Sequence, residues 1–248
     1  MHYIKRSARY AAINLLRIFN PGDIAIRHHW TGNRIKLNAF QHKGYWWHGK
    51  RREMASMNCC AGLLTQGQTV IECGGHIGYL SLYFGSLVGD TGHVIVFEPG
   101  PNNLQYLKQN LQQSDNTRIE ELAVGPKDGS MTLYVDDFTG QNNSLLEDYE
   151  NIQQNSRSAG VTINTKATSV DVVRLDAYCQ SKDVTPDFVK MDIEGYELQA
   201  LQGMTKLLGD APPMLMIEVT ENSQAVYELL TQSRYVGFTS HRTRINNS

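Results

Sequence analysis

From Gly67 onward the chain alternates two hydrophobic patterns. Short continuous apolar runs occur at 69–73, 93–97, 187–191 and 213–218. Runs of this length, rich in Val, Ile and Phe, predict strands buried on both faces. Between them apolar residues recur every three or four positions, which predicts helices over 77–88, from Pro101 through Leu111, and over 196–208 with a break near Gly203. Pro101 suits the first position of its helix, and Leu104, Leu107 and Leu111 give that helix one apolar face. Further strands are predicted at 118–124, 131–135 and 170–174. A short helix is predicted at 175–179, another around Ala225, Val226, Leu229 and Leu230, and a last strand at 236–238. The polar stretch 136–168 reads as a long loop, a length that in a compact domain usually has a function.

Upstream of Gly67 the pattern is different. Residues 3–19 have helical spacing, ended by Asn20-Pro21-Gly22, and 51–64 also read as helix. Residues 23–50 read as irregular, with two short alternating runs, Ile24-Ala25-Ile26 and Ile35-Lys36-Leu37. The expected organisation is an N-terminal helix with a Trp- and His-rich extension over 1–50, then one α/β domain over 51–248. That domain is a Rossmann-like, mainly parallel sheet flanked by helices. In such a sheet ligands bind beyond the carboxyl ends of the strands. Glu72, Glu98, Asp192 and Glu218 are each the first acid after an apolar strand, so four carboxylates are expected on one edge.

Composition narrows the partners. A net charge of −2 argues against nucleic-acid binding by bulk electrostatics. Cys59, Cys60, Cys73 and Cys179 include no CxxC pair, so neither a disulfide framework nor a zinc pattern is indicated and a reducing cytoplasm is expected. The N-terminus carries Lys5, Arg6, Arg9 and Arg17 and no acid before Asp23. A helix docked on the domain with its charges solvated is favoured there over one lying on an anionic membrane. His28, His29, His42 and His48 fit no familiar metal spacing. The Asp192 and Glu218 strand ends could offer oxygens to Mg²⁺, but no metal is expected. Trp30, Trp46 and Trp47 suit either an aromatic platform for an acceptor or the burial of the N-terminal helix.

The most informative chemistry lies in Glu72-Cys73-Gly74-Gly75-His76-Ile77-Gly78 and Phe97-Glu98-Pro99. Gly75 and Gly78 keep the last spacing of a dinucleotide fingerprint, but Cys73 stands where its first glycine belongs. An acid directly before the turn repels a pyrophosphate and favours a cation, such as the sulfonium and ammonium of S-adenosylmethionine. Glu98 stands where a carboxylate grips a ribose diol; a helix N-terminal acid favoured by the dipole is a compatible reading.

Phe188-Val189-Lys190-Met191-Asp192-Ile193-Glu194-Gly195-Tyr196-Glu197 resembles the K-x-D-x-E-G-x-E signature of FkbM-type S-adenosylmethionine-dependent methyltransferases. Val170 to Asp176, the glycine turn, Phe97-Glu98-Pro99 and Met216-Ile217-Glu218-Val219 follow the family's order and approximate spacing. The resemblance implies a class I methyltransferase sheet and methyl transfer, usually to a hydroxyl oxygen of a small metabolite or glycan. It assigns Glu72, Gly74 and Gly78 to the methionine end of the cofactor, Glu98 to the ribose and the backbone near Leu122 to the adenine; Gly75 and His76 of the same turn are also expected to bind the cofactor. Asp192 falls at the boundary of cofactor and acceptor, with Asp192 and Glu194 as the catalytic candidates. Asn142-Asn143-Ser144 could line the site from the polar loop. The chain departs from the family pattern at Gly75-His76, where Ala-Asn is usual, and at Glu121, where Asn is frequent. Two rivals stay open: a nicotinamide-linked oxidoreductase on the same sheet, and a cofactor-binding module without turnover.

Overall fold

The continuous apolar runs become the interior of a parallel sheet. In the computed structural model, which describes residues 16, 18–136, 141–147, 165–239, 243 and 245, five strands lie side by side. They are β3 (Thr69–Cys73), β4 (His93–Phe97), β5 (Thr117–Glu120), β9 (Phe188–Met191) and β10 (Met214–Ile217), in the order β10-β9-β3-β4-β5, all parallel. Val70, Ile71, Val94, Val96, Phe188, Val189 and Met191 are wholly enclosed, because helices cover both faces. The order reverses between β3 and β9, where loops leaving neighbouring strands diverge and open a crevice.

Helices α3 (Tyr79–Val88) and α4 (Pro101–Leu111) pack on one face, where Phe84, Leu107 and Leu111 join Val70, Val94 and Phe188 in one core. Helices α5 (Leu175–Lys182), α6 (Glu197–Gln202), α7 (Thr205–Asp210) and α8 (Ser223–Gln232) supply the other face through Leu175, Leu201, Leu208 and Val226. The break expected near Gly203 separates α6 from α7.

Four expectations need correction. Residues 23–50 are not irregular. Strands β1 (Asp23–Arg27) and β2 (Arg34–Asn38) pair antiparallel, and α1 (Lys43–His48) and a 3₁₀ turn (Gly49–Arg51) lead into α2 (Met54–Leu63). Ile35, Leu37 and Tyr45 join the core of the α/β domain, and Asn110 Nδ2 donates to Lys36 O at 2.9 Å while Lys36 N donates to Asn110 Oδ1 at 2.7 Å. The extension and the sheet therefore share one interior.

The run 118–124 splits. After β5 ends at Glu120, Ala123–Val124 (β6) leaves to pair with Val172 and Val173. The expected loop 136–168 is partly strand: β8 (Thr165–Val173) runs antiparallel to all of β7 (Gly129–Asp136). This ribbon packs through Leu133, Val170, Val172 and Ala123, with Met131, Val135 and Leu145 partly buried against them, so a mostly polar sequence suffices to build it. Residues 137–140 and 148–164 lie outside the described residues. No strand forms at 236–238; there Gly237 O accepts a hydrogen bond from Ile245 N, and Phe238 makes an isolated bridge. The helix expected at 3–19 lies almost wholly outside the described residues. Among those described, no helix is long and apolar enough to cross a membrane.

Candidate active site

Parallel register delivers Glu72, Glu98, Asp192 and Glu218 to one edge of the sheet, where all four line a cavity of about 520 Å³. That size is in the range of small-molecule sites. The floor is the glycine turn. Gly74 N and Gly75 N both donate to Phe97 O, at 2.9 and 3.1 Å, and Asp192 N donates to Cys73 O at 3.1 Å. Gly74 has φ +86°, and a Cβ there would stand 1.9 Å from Asp192 O, so only glycine lets this turn pass the β9 loop. Gly78 faces away from the cavity, toward Leu107 and Leu111.

His76 accounts for the unusual dipeptide. Its φ is +48°, a left-handed conformation that Asn, Asp and His enter more readily than other side chains. Its ring stacks on Tyr45, and its Nδ1 lies 3.0 Å from the Tyr45 hydroxyl. Its backbone N–H donates to Glu98 Oε2 at 2.7 Å. Glu98 Oε1 accepts from Gly100 N at 2.8 Å and from Asn103 Nδ2 at 3.3 Å. Burial pushes the Glu98 carboxyl up to about 7, against these three hydrogen bonds, which favour its anion. Oε2 keeps lone-pair capacity at the cavity wall.

Glu72 is the most enclosed of the acids. Ser81 Oγ donates to its Oε2 at 2.5 Å, and burial raises its carboxyl to about 7, with Lys190 and Ser81 opposing. Lys190 is the residue that the sequence reading left without a role. It is buried, and its Nζ donates to Gly74 O and to Asp192 Oδ2, each at 3.3 Å. Burial works against its charge, but Asp192, Glu72 and Glu53 outweigh that and hold the ammonium above its ordinary pKa. A lysine inside the apolar run Phe188-Val189-Lys190-Met191 was the visible signal, because a buried ammonium needs partners.

The turn after β9 is fixed by Glu197. This fully buried carboxylate accepts from Ile193 N at 3.2 Å and from Gly195 N at 3.1 Å through Oε1. Glu194 takes a left-handed φ of +53°, and Ser144 Oγ donates to its carbonyl at 2.7 Å. Asp192 and Glu194 both line the cavity, as do Asn142 and Asn143. Asp192 and burial raise the Glu218 carboxyl, and burial raises that of Glu53.

One wall comes from a segment without any motif. Tyr45, Arg52 and Glu53 line the cavity, with the Arg52 guanidinium 4.5 Å from the Tyr45 ring centre and 3.2 Å from Glu53 Oε1. None of Trp30, Trp46 and Trp47 lines it. Trp30 packs on Tyr83, Trp46 Nε1 donates to Ala39 O, and Trp47 is 62% exposed. His28 and His42 are held by the protein itself. His28 Nε2 lies 3.0 Å from Tyr79 O, His42 Nδ1 accepts from Asn38 N, and burial lowers both rings to about 4. Among the described residues no group of three or more His, Cys, Asp or Glu is placed to hold a metal ion. Glu121 points away from the cavity and pairs with Lys108 at 2.7 Å.

The donor set suits a cationic nucleoside. An acid free to accept from a diol stands beside an apolar slot of Phe97, Leu122, Val124 and Leu133, and the glycine turn is flanked by carboxylates that disfavour a pyrophosphate. A sequence model described as the methyltransferase FkbM domain matches residues 72–239. No curated protein matches the chain. Solved structures with a related fold include a precorrin-6y C5,15-methyltransferase from Geobacter metallireducens, 13% identical over 76% of each chain with a TM-score of 0.42. Another is a SAM-dependent methyltransferase from Aquifex aeolicus, 15% identical over 79% of this chain and 88% of that one, with a TM-score of 0.41.

Proposed function

Because the chain belongs to the FkbM methyltransferase family and uses S-adenosylmethionine, we propose that it methylates a hydroxyl oxygen on a small metabolite or glycan. The observation that carries this reading is the meeting of Asp192, Glu194 and Glu218 on the wall of the same cavity that Glu98, Leu122 and the glycine turn line. In this reading Glu98 accepts from the ribose hydroxyls, Leu122 flanks the adenine, and Glu72 with Gly74, Gly75 and His76 surrounds the methionine end. Gly78 supports the turn from behind.

The bound cofactor supplies an activated methyl group. The chain supplies alignment, which is the larger contribution in such a transfer, and a place for the acceptor's proton. Asp192 is the better placed base, because Lys190 Nζ fixes its Oδ2 and leaves Oδ1 for the acceptor hydroxyl. A positioned base adds about 10²–10⁴-fold. An acid-rich cavity whose two cations, Lys190 and Arg52, already pair with Asp192 and Glu53 favours a neutral hydroxylated acceptor and disfavours nucleic acid. Four free cysteines, three of them buried, support a cytoplasmic setting.

The test is turnover of the purified protein with labelled S-adenosylmethionine against a panel of polyols, phenols, oligosaccharides, amines and thiols, with products read by mass spectrometry. Asp192→Asn is expected to lower kcat by about 10²–10⁴ and leave cofactor affinity within a few-fold. Methylation confined to nitrogen or sulfur acceptors, or an unimpaired Asp192→Asn enzyme, would refute the reading.

A further inference from the structure

The charge of this chain is segregated. Of its 23 basic and 25 acidic residues, eleven basic and one acidic, Asp23, precede Glu53. No acid occurs between Ile24 and Arg52, a stretch that includes α1, the 3₁₀ turn and all of the β1–β2 hairpin except Asp23, which pairs with Lys36 at 3.1 Å. A near-neutral total therefore hides a strongly basic N-terminal segment, the kind of asymmetry that marks an anionic partner.

The same region is also apolar at its surface. Trp47 is 62% exposed and Met54 49%, while Ile18 and Phe19 are 75% and 71% exposed. Lys50, Arg51, Arg27 and Arg34 are exposed among them. Three contacts tie these pieces together. Lys50 Nζ lies 5.2 Å over the Trp30 ring at the hairpin tip, Trp46 Nε1 donates to Ala39 O, and Ala39 N donates to Gly22 O just after Phe19. Exposed Trp beside Lys and Arg is the composition of a surface lying at a bilayer interface.

We infer that the face built from residues 43–54 and the β1–β2 hairpin docks on an anionic lipid bilayer, with Trp47 entering the headgroup layer. Charge complementarity selects the occupant. Residues 1–17 of the chain are themselves basic, so they do not complement this face. A nucleic acid would use the cations and could stack on Trp47, but it leaves Ile18, Phe19 and Met54 in water. A bilayer takes both kinds of group. The inference does not rest on the identity of the methyl acceptor. It has a consequence for it, because Tyr45, Arg52 and Glu53 of the same segment line the cavity.

The experiment is flotation of the full chain with phosphatidylcholine vesicles, with and without phosphatidylglycerol. Partitioning is expected only with the anionic lipid and is lost in high salt. A Lys50→Gln, Arg51→Gln double variant is expected to partition about 25-fold more weakly, since each cation near an anionic surface is worth about fivefold. Brominated lipid is expected to quench the intact protein, and Trp47→Phe to abolish most of that quenching while still floating. Circular dichroism and cofactor affinity report that each variant is folded. Equal partitioning onto neutral vesicles, or none onto anionic ones, overturns the inference. So does binding of a single-stranded RNA, or self-association by light scattering, without vesicle binding.

Discussion

Raising the pH from about 6 to about 8 is expected to tighten S-adenosylmethionine binding and to release protons. The perturbation acts on Glu72 and Glu98, which are 1% and 4% exposed and whose carboxyls burial lifts from 4.5 to about 7. At about pH 6 a group of this kind is roughly one-tenth ionised, and at about pH 8 roughly nine-tenths. A cofactor bearing a sulfonium favours both anions, so the dissociation constant falls by about tenfold for each group that must ionise, up to about a hundredfold for both. The cofactor-free protein moves the opposite way. A carboxyl whose folded pKa is raised favours the folded state while it is protonated. That contribution is complete below about pH 4.5 and lost as the pH climbs through about 7, at roughly 3 kcal/mol for each group as an upper bound. Titration calorimetry in buffers of different ionisation enthalpy reads the proton number directly. Between about pH 6 and pH 7 it is expected to lie between one and two, and Glu98→Gln is expected to roughly halve it. A proton number of zero together with an affinity independent of pH would refute the linkage and the burial argument behind it.

Two further outcomes follow from the same geometry. Lys190→Met leaves Glu72 and Asp192 without their shared ammonium and is expected to cost about 3 kcal/mol in urea denaturation, whereas a loss below about 1 kcal/mol would show that the carboxylates do not depend on it. His76→Asn is expected to unfold within about 1 kcal/mol of the parent, while His76→Val, forced to φ +48°, loses about 2 kcal/mol more; equal melting of the two variants would remove the backbone explanation for His76.

The central sheet was legible because strands buried on both faces must be apolar throughout, and Val70-Ile71 or Phe188-Val189 allow little else. The β7–β8 ribbon was not, because its outward positions are Thr, Lys and Ser and only one face packs. The β1–β2 pair was half visible: its alternation is regular, but five residues per strand, interrupted by a His-His-Trp tip, gave too short a signal. Within the site, acids that end apolar strands announce themselves by contrast with their neighbours. Tyr45, Arg52 and Glu53 carry no such contrast, since their place at the cavity is decided by how the extension packs on α3 and α4. Lys190 sits between these cases: the sequence exposes it as an oddity, and only the fold shows that Glu72 and Asp192 justify it.

Segment 43–54 is where sequence contrast and packing meet. Tyr45 on α1 and Arg52, just past the 3₁₀ turn, both line the cavity. Trp47, Lys50 and Arg51 of the same segment are exposed. One short segment thus forms the cavity wall on one side and a basic, aromatic surface on the other. It is anchored from within, because Tyr45 packs on Tyr79 at 4.7 Å between ring centres and stacks on His76 in the cofactor turn. Any force that tilts this stretch against the sheet must shift the Tyr45–His76 stack, and His76 N–H is one of the three donors holding Glu98. Surface engagement and cofactor grip are therefore joined by one continuous chain of contacts, which runs through the Gly75-His76 dipeptide that departs from the family's usual turn.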